Sequence, residues 1–276
     1  MATETPPRPS RKGRGGKDPE GRMPLRAHLL ELRKRVVLAG IAVLLGAVAG
    51  WFLYDPVLNY ITAPIQRLQD AGQDIAINFV GVGTAFDLKI KMSIWIGVII
   101  SSPMWIYQLW AFITPGLTKK ERRYALGFVA AAVPLFLAGV WLSSLFIPNV
   151  VTFFTAFTPV DGANYIAADV YLGFVMRTVL AFGAAFLLPV VLVGLNLAGL
   201  VSGRAVLKAW RWVTVLCFTF AAIATPTPDI LAMFMLATPM MLLFGVAIAI
   251  CMANDKRRAK GEPQYAGLSD DEASAL

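Results

Sequence analysis

Apolar residues in this chain gather into runs too long for the elements of a soluble core, and polar residues collect between them. As helices, such runs match a hydrocarbon layer about 30 Å thick. The pattern predicts six spans, at residues 36–54, 86–113, 124–154, 170–195, 212–224 and 230–252. The fifth is short, because thirteen residues rising about 1.5 Å each cover roughly 20 Å. Either Lys208 and Arg211 snorkel from within that helix or the bilayer thins around it. Ahead of the first span, Leu25, Leu29, Leu32 and Val36 recur at helical spacing with charge mostly on the other side. This predicts an amphipathic helix on the membrane surface, with Pro24 in its first turn. Residues 55–84 read as a polar loop with short apolar pieces. Pro103, Pro134, Pro148, Pro189 and Pro239 fall inside or near the ends of spans. They predict bent helices, and a six-span bundle of bent helices offers a concave wall.

The flanks differ in kind. Residues 1–22 are rich in Pro, Gly and Arg and predict a disordered basic tail; 23–254 form the transmembrane domain; 255–276 read as a disordered charged tail. The first apolar run is followed by no small-residue cleavage site, so a removable signal is not expected. No internal repeat stands out, which weighs against an inverted-repeat transporter.

Composition agrees with the pattern: 57% hydrophobic, 15% charged, mean hydropathy +0.64. The net charge of +8 would suit nucleic acid, but the positive residues sit in blocks between spans and do not interleave with aromatics. Their distribution is a topology signal. Residues 1–35 hold ten Lys and Arg, 114–124 four, 195–211 three and 252–276 four, against one in 55–85 and none in 153–169 or 225–229. The alternation predicts both termini in the cytoplasm, with six spans between. The expected fold is thus an all-α, six-span integral membrane protein.

Candidate chemistry is sparse. The stretch from Ser101 to Arg123 ends a span on Trp105, Tyr107, Trp110 and Phe112, then stops at Pro115-Gly116 and continues as Lys119-Lys120-Glu121-Arg122-Arg123. The rings read as an interfacial belt. On a cytoplasmic surface this basic, Glu31 and Glu121 are out of place. One reading pairs them locally, Glu31 with Arg35 or His28 and Glu121 with its neighbours; the other has them receive an incoming guanidinium, which a carboxylate binds with geometric selectivity. A single histidine, His28, builds neither a zinc site nor a catalytic triad, and no phosphate-cradling glycine loop occurs, so no enzyme activity, metal or cofactor is expected. Cys217 and Cys251 lie in spans as core thiols. Asp87, Lys89 and Lys91 begin the second span and are expected to snorkel. Asp229 serves as a helix cap or has a function of its own. Arg177, about seven residues into the fourth span, must face protein, water or the outer headgroups, because burial of its charge in hydrocarbon costs a few kcal/mol or more.

The segments HLLELRKR (28–35), SPMWIYQLWAFITPGLTKKERR (102–123), YLGFV and LAFGAAFLLPV in the fourth span, ATPTPD before the sixth, and Pro64 together resemble the TatC family, the multispanning receptor subunit of the twin-arginine protein translocase. The resemblance covers roughly residues 24–252. It implies a cytoplasmic site for the paired-arginine signal peptides of folded precursor proteins, formed by Glu31 and Glu121 with Arg33, Phe112, Leu117, Arg122 and Arg123. It further implies TatA-like and TatB-like single-span partners, self-association, and the proton-motive force in place of any nucleotide. Pro64 and Asp229 coincide with outer-face positions of functional weight in that family. Two positions depart from it. A polar residue, commonly glutamate, stands two before the fourth-span proline, where this chain has Leu187, and glutamate six after the sixth-span proline, where it has Gly245. Partner docking at that level is therefore open, as is whether Arg177 takes their place. The rival class is a secondary transporter or channel for a small solute, which would want more ionisable groups at mid-depth than Arg177.

Overall fold

The computed structural model describes residues 25–113, 119–159, 162–224 and 230–261. The tail expected over 1–22 lies outside them. The first described element, α1 (Leu25–Asp70), is one helix of 46 residues, about 69 Å long. It revises two expectations. The surface helix and the first span are continuous, because no proline or glycine interrupts the sequence between Leu25 and Gly40. Much of the supposed loop over 55–84 is also helical, with Pro56 and Pro64 inside the helix. The chain leaves it at Gly72, in the left-handed region at φ 87°, where the Gln73 N–H bonds back to the Leu68 carbonyl.

A third revision concerns the next span, which is two helices, α2 (Thr84–Ile100) and α3 (Ser102–Ile113), meeting at 63°. Pro103 has no N–H for the Ile99 carbonyl, so the ladder cannot run on through it. The Trp105 indole N–H donates to the Val98 carbonyl at 2.9 Å, satisfying a group the break exposes. The remaining helices are α4 (Lys119–Thr155), α5 (Ala168–Leu197), α6 (Gly203–Lys208), α7 (Trp210–Ala224) and α8 (Ile230–Gly261). Helix α8 thus passes residue 255, where the sequence reading begins the tail. Two short strands, β1 (Ile75–Asn78) and β2 (Asn164–Ala167), pair in parallel from Ile75 opposite Asn164 to Asn78 opposite Ala167. They add a small ladder to a mostly helical fold.

Helices α1, α4, α5 and α8 are long and apolar enough to cross a membrane, and the bent α2–α3 pair makes a fifth span if counted as one. Helix α7, with 15 residues, reaches about 22 Å and falls short alone. Its Cys217 is completely buried in one cluster with Leu236 and Met240 of α8. Backbones approach closely where glycines meet. A Cβ on Gly46 would lie 2.6 Å from the Gly97 carbonyl oxygen, and one on Gly139 would lie 2.5 Å from that of Phe182. This is the small-residue packing by which membrane helices gain dispersion contacts where no hydrophobic drive exists between them. Around these seams the core is apolar, with Leu88, Met92, Leu172 and Val175 between α2 and α5. Outward-facing Leu44, Leu45, Phe52, Trp141 and Leu242 are exposed, a surface suited to lipid and not to water.

Candidate functional site

The start of α1 meets the end of α3 at one end of the bundle, through His28 with Phe112 and Arg35 with Gln108, and the end of α3 packs in turn on α4 through Trp110 and Phe128. Helical spacing puts His28, Glu31 and Arg35 on one stripe of α1. Arg35 donates from Nε and Nη2 to Oε1 of Glu31, at 3.1 and 2.6 Å. Its third nitrogen, Nη1, donates to Oε1 of Gln108 on α3 at 3.3 Å. Both groups of the ion pair keep about a fifth of their side-chain surface exposed, 22% for Arg35 and 23% for Glu31. The pair is therefore in reach of water and of a ligand. Among the described residues nothing donates to Oε2 of Glu31.

One turn earlier, the His28 ring stacks on Phe112 of α3, centroids 4.6 Å apart and planes 25° apart. This fastens the first turn of α1 to the last turn of α3. Trp110 does not join an interfacial belt; it is buried at 3% exposure and stacks on Phe128 of α4 at 3.9 Å. Gly194 of α5 faces the same ring, which only a residue without a side chain allows. Trp105 packs edge-on against Phe136. These rings wedge α3 between α4 and α5, correcting the belt reading for both tryptophans, and so hold Phe112 and Gln108 beside α1.

A second polar cluster stands at the same end. Asn196, almost fully buried at the end of α5, donates to the Val201 carbonyl and to Oδ1 of Asp255 on α8, both at 2.8 Å. Oδ2 of Asp255 accepts from the Gly203 N–H at 2.7 Å, and Asn254 donates to Asn196 Oδ1 at 2.9 Å. Those bonds tie the α5–α6 connection to α8 and fix the level of this end of the bundle.

The other predicted residues fall as follows. Arg33 is exposed on α1, and Glu121, Arg122 and Arg123 belong to the first turns of α4. Leu117 and Asp229 lie outside the described residues. Pro64 is in α1 and lines a cavity of about 460 Å³ with Trp95, Ile99, Ser144 and Pro148. Leu187 is buried with Ile106 and Phe136, whereas Gly245 has open space before it on an exposed face of α8. Lys91 pairs with Asp87 at 2.6 Å on the surface, and Lys89 lies over the Trp51 and Tyr54 rings at 4.8 and 5.0 Å. Among the described residues no three His, Cys, Asp or Glu side chains gather as metal ligands would. Sequence reasoning missed Gln108 and the pairing of His28 with Phe112. A lone glutamine inside an apolar run was the available signal.

The arrangement offers a partly exposed carboxylate whose second oxygen accepts from no donor among the described residues, one turn from a stacked aromatic pair. Comparison with known proteins places the chain. The family described as Sec-independent protein translocase protein (TatC) matches residues 27–239. The chain is 49% identical to the Sec-independent protein translocase protein TatC of Xylanimonas cellulosilytica over 238 residues, 86% of each chain. It is 42% identical to that of Rothia mucilaginosa, covering 92% of this chain and 87% of the relative. Among solved structures, the crystal structure of the twin-arginine translocase receptor TatC in DDM is similar with a TM-score of 0.70 and 29% identity, over 81% of this chain and 99% of that one.

Proposed function

The chain belongs to the TatC family, and from that premise we propose that it captures the paired-arginine signal peptides of folded precursor proteins at the end of the bundle where α1, α3 and α4 meet. It is a multi-pass membrane subunit of the Sec-independent protein translocase, a receptor component and not a member of a known enzyme family. The observation that carries the peptide reading is the state of Glu31. Its carboxylate is held by one arginine through a single oxygen, at a place a ligand can reach. A second guanidinium finds Oε2 free, or displaces Arg35, which keeps Gln108 as a partner. Glu121, in the first turns of α4, supplies the second acid. Phe112 and Leu117 receive the apolar residues beside the arginine pair, and Arg33, Arg122 and Arg123 surround the two acids.

By the distribution of Lys and Arg this end faces the cytoplasm, with both termini there, in a bacterial-type plasma membrane. Single-span TatA-like and TatB-like subunits, and further copies of this chain, complete the complex, and the proton-motive force drives export. Pro64 and Asp229 act on the opposite face, and Gly245 lies where a partner helix can approach α8. The test is site-specific photocrosslinking from positions 31 and 121 to a twin-arginine peptide in membranes. Crosslinks at both positions, with loss of binding in Glu121→Ala at unchanged membrane insertion, are expected. Undiminished crosslinking of that variant would overturn the assignment.

A further inference from the structure

Helical spacing alone accounts for a pair between Glu31 and Arg35, but Arg35 does more than the spacing asks. It divides its guanidinium between two helices: Nε and Nη2 donate to Oε1 of Glu31 at 3.1 and 2.6 Å, and Nη1 to Oε1 of Gln108 on α3 at 3.3 Å. Gln108 keeps only 6% of its surface exposed, in a mostly apolar helix. A side-chain oxygen so placed needs a donor, and Arg35 supplies one. The guanidinium thus has a second seat within reach before any ligand arrives.

Its hold on Glu31 is not the strongest a carboxylate can have. Both bonds converge on one oxygen, whereas the best pairing runs two parallel N–H bonds to two oxygens. A guanidinium arriving from solvent is free to take that geometry. It cannot share the acid with Arg35 at full strength, because two cations on one carboxylate repel, and Arg33 and Lys34, both exposed on the same turns of α1, add to the repulsion.

We propose that Arg35 is an internal competitor of the signal peptide. In the empty receptor it occupies Glu31 with the same chemical group that the guest brings, and it withdraws to Gln108 as the guest takes both oxygens. The proposal rests on capture of paired-arginine peptides at this end of the bundle, and it adds a threshold to that capture. A receptor whose competent state is only a fraction of the whole binds every guest more weakly by that fraction. Paired arginines, with two forks, stay bound after the loss; a peptide with two lysines or a single arginine does not. The ratio between peptides is unchanged, so Arg35 sets how strong a sequence must be to be retained.

The test measures binding of a fluorescent twin-arginine peptide, and of its twin-lysine and single-arginine counterparts, to the full chain in nanodiscs. Arg35→Gln, which removes the cation, is expected to tighten all three by a common factor of about twofold to fivefold, the size of a partly exposed ion pair. Arg35→Lys, which keeps a charge on Glu31 without the fork, is expected to tighten them less. Gln108→Ala, which removes the second seat, is expected to weaken binding severalfold in the native chain and to change it little in the Arg35→Gln chain. A thermal unfolding transition recorded for each variant shows which are folded. Weaker or unchanged binding of the twin-arginine peptide to folded Arg35→Gln and Arg35→Lys chains would overturn the proposal and make Arg35 a positioning residue for Glu31. An equal effect of Gln108→Ala in both backgrounds would overturn it too. Absence of twin-arginine binding to the native chain would overturn both the competitor and the peptide site beneath it, which sets that failure apart from the other two.

Discussion

Glu31 and Arg177 stand at opposite ends of the same bundle and in opposite circumstances. The carboxylate has a cation one turn away on its own helix, and that cation has a second partner in Gln108. Among the described residues the guanidinium of Arg177 has one printed partner, the Gly173 carbonyl of the preceding turn, and no carboxylate. An ion pair partly open to water is worth little to stability, because it is solvated and pays side-chain entropy. It is correspondingly cheap to exchange for another pair of the same chemistry, which suits transient capture of a peptide. Arg177, exposed on α5 and bonded to its own helix, holds no such exchangeable ion pair among the described residues. The two ends thus differ in what they hold ready: an ion pair that a guest can exchange at one, a cation bonded to its own backbone at the other.

Four experiments break or sharpen this contrast. The largest effect is expected from Glu31→Arg, which replaces an acceptor with a like charge. Loss of a charged hydrogen bond, worth about 1.5–3 kcal/mol, corresponds to a drop in twin-arginine peptide affinity on the order of tenfold to a hundredfold. Fluorescence anisotropy with protein in nanodiscs reads it, and unchanged affinity would separate Glu31 from the site. Next, Gly97→Leu attacks the α1–α2 seam that both ends share. Overpacking there costs about 1–3 kcal/mol, read as a lower thermal unfolding midpoint with weakened peptide binding. Third, a peptide with both arginines changed to lysines is expected to bind about tenfold more weakly, since lysine keeps the charge and loses the fork. Equal binding would make the basic end a site for charge alone. The smallest effect belongs to Gln108→Ala, which frees Arg35 from α3. About 0.5–1.5 kcal/mol in peptide affinity, a severalfold change or a little more, is expected, with the direction reporting whether Arg35 competes with the guest or positions Glu31.

Some of this was legible in the sequence, and particular elements show why. The apolar runs that became α1, α4, α5 and α8 announced themselves through length and apolarity, which the bilayer imposes one segment at a time. The basic blocks announced the polar levels of the chain for the same reason. Pro103 gave notice of a bend near it, though not of the 63° break or of the indole that caps it. Glu31 was conspicuous as an acid among cations, and its pairing with Arg35 is a local spacing that any helix would offer.

The long-range pairings carried no such notice. Arg35 meets Gln108 across 73 residues, Phe112 finds His28 only because Trp110 wedges α3 against α4 and α5, and β1 pairs with β2 from the far side of α4. The sequence by itself determined which segments enter the membrane, in what order, and where charge is permitted, because hydrocarbon tests each segment separately. Which carboxylate keeps a free oxygen and which arginine bridges it to a second helix was decided only by the tertiary structure, because hydrogen bonds act over a few ångströms and only helix packing brings distant residues within that range.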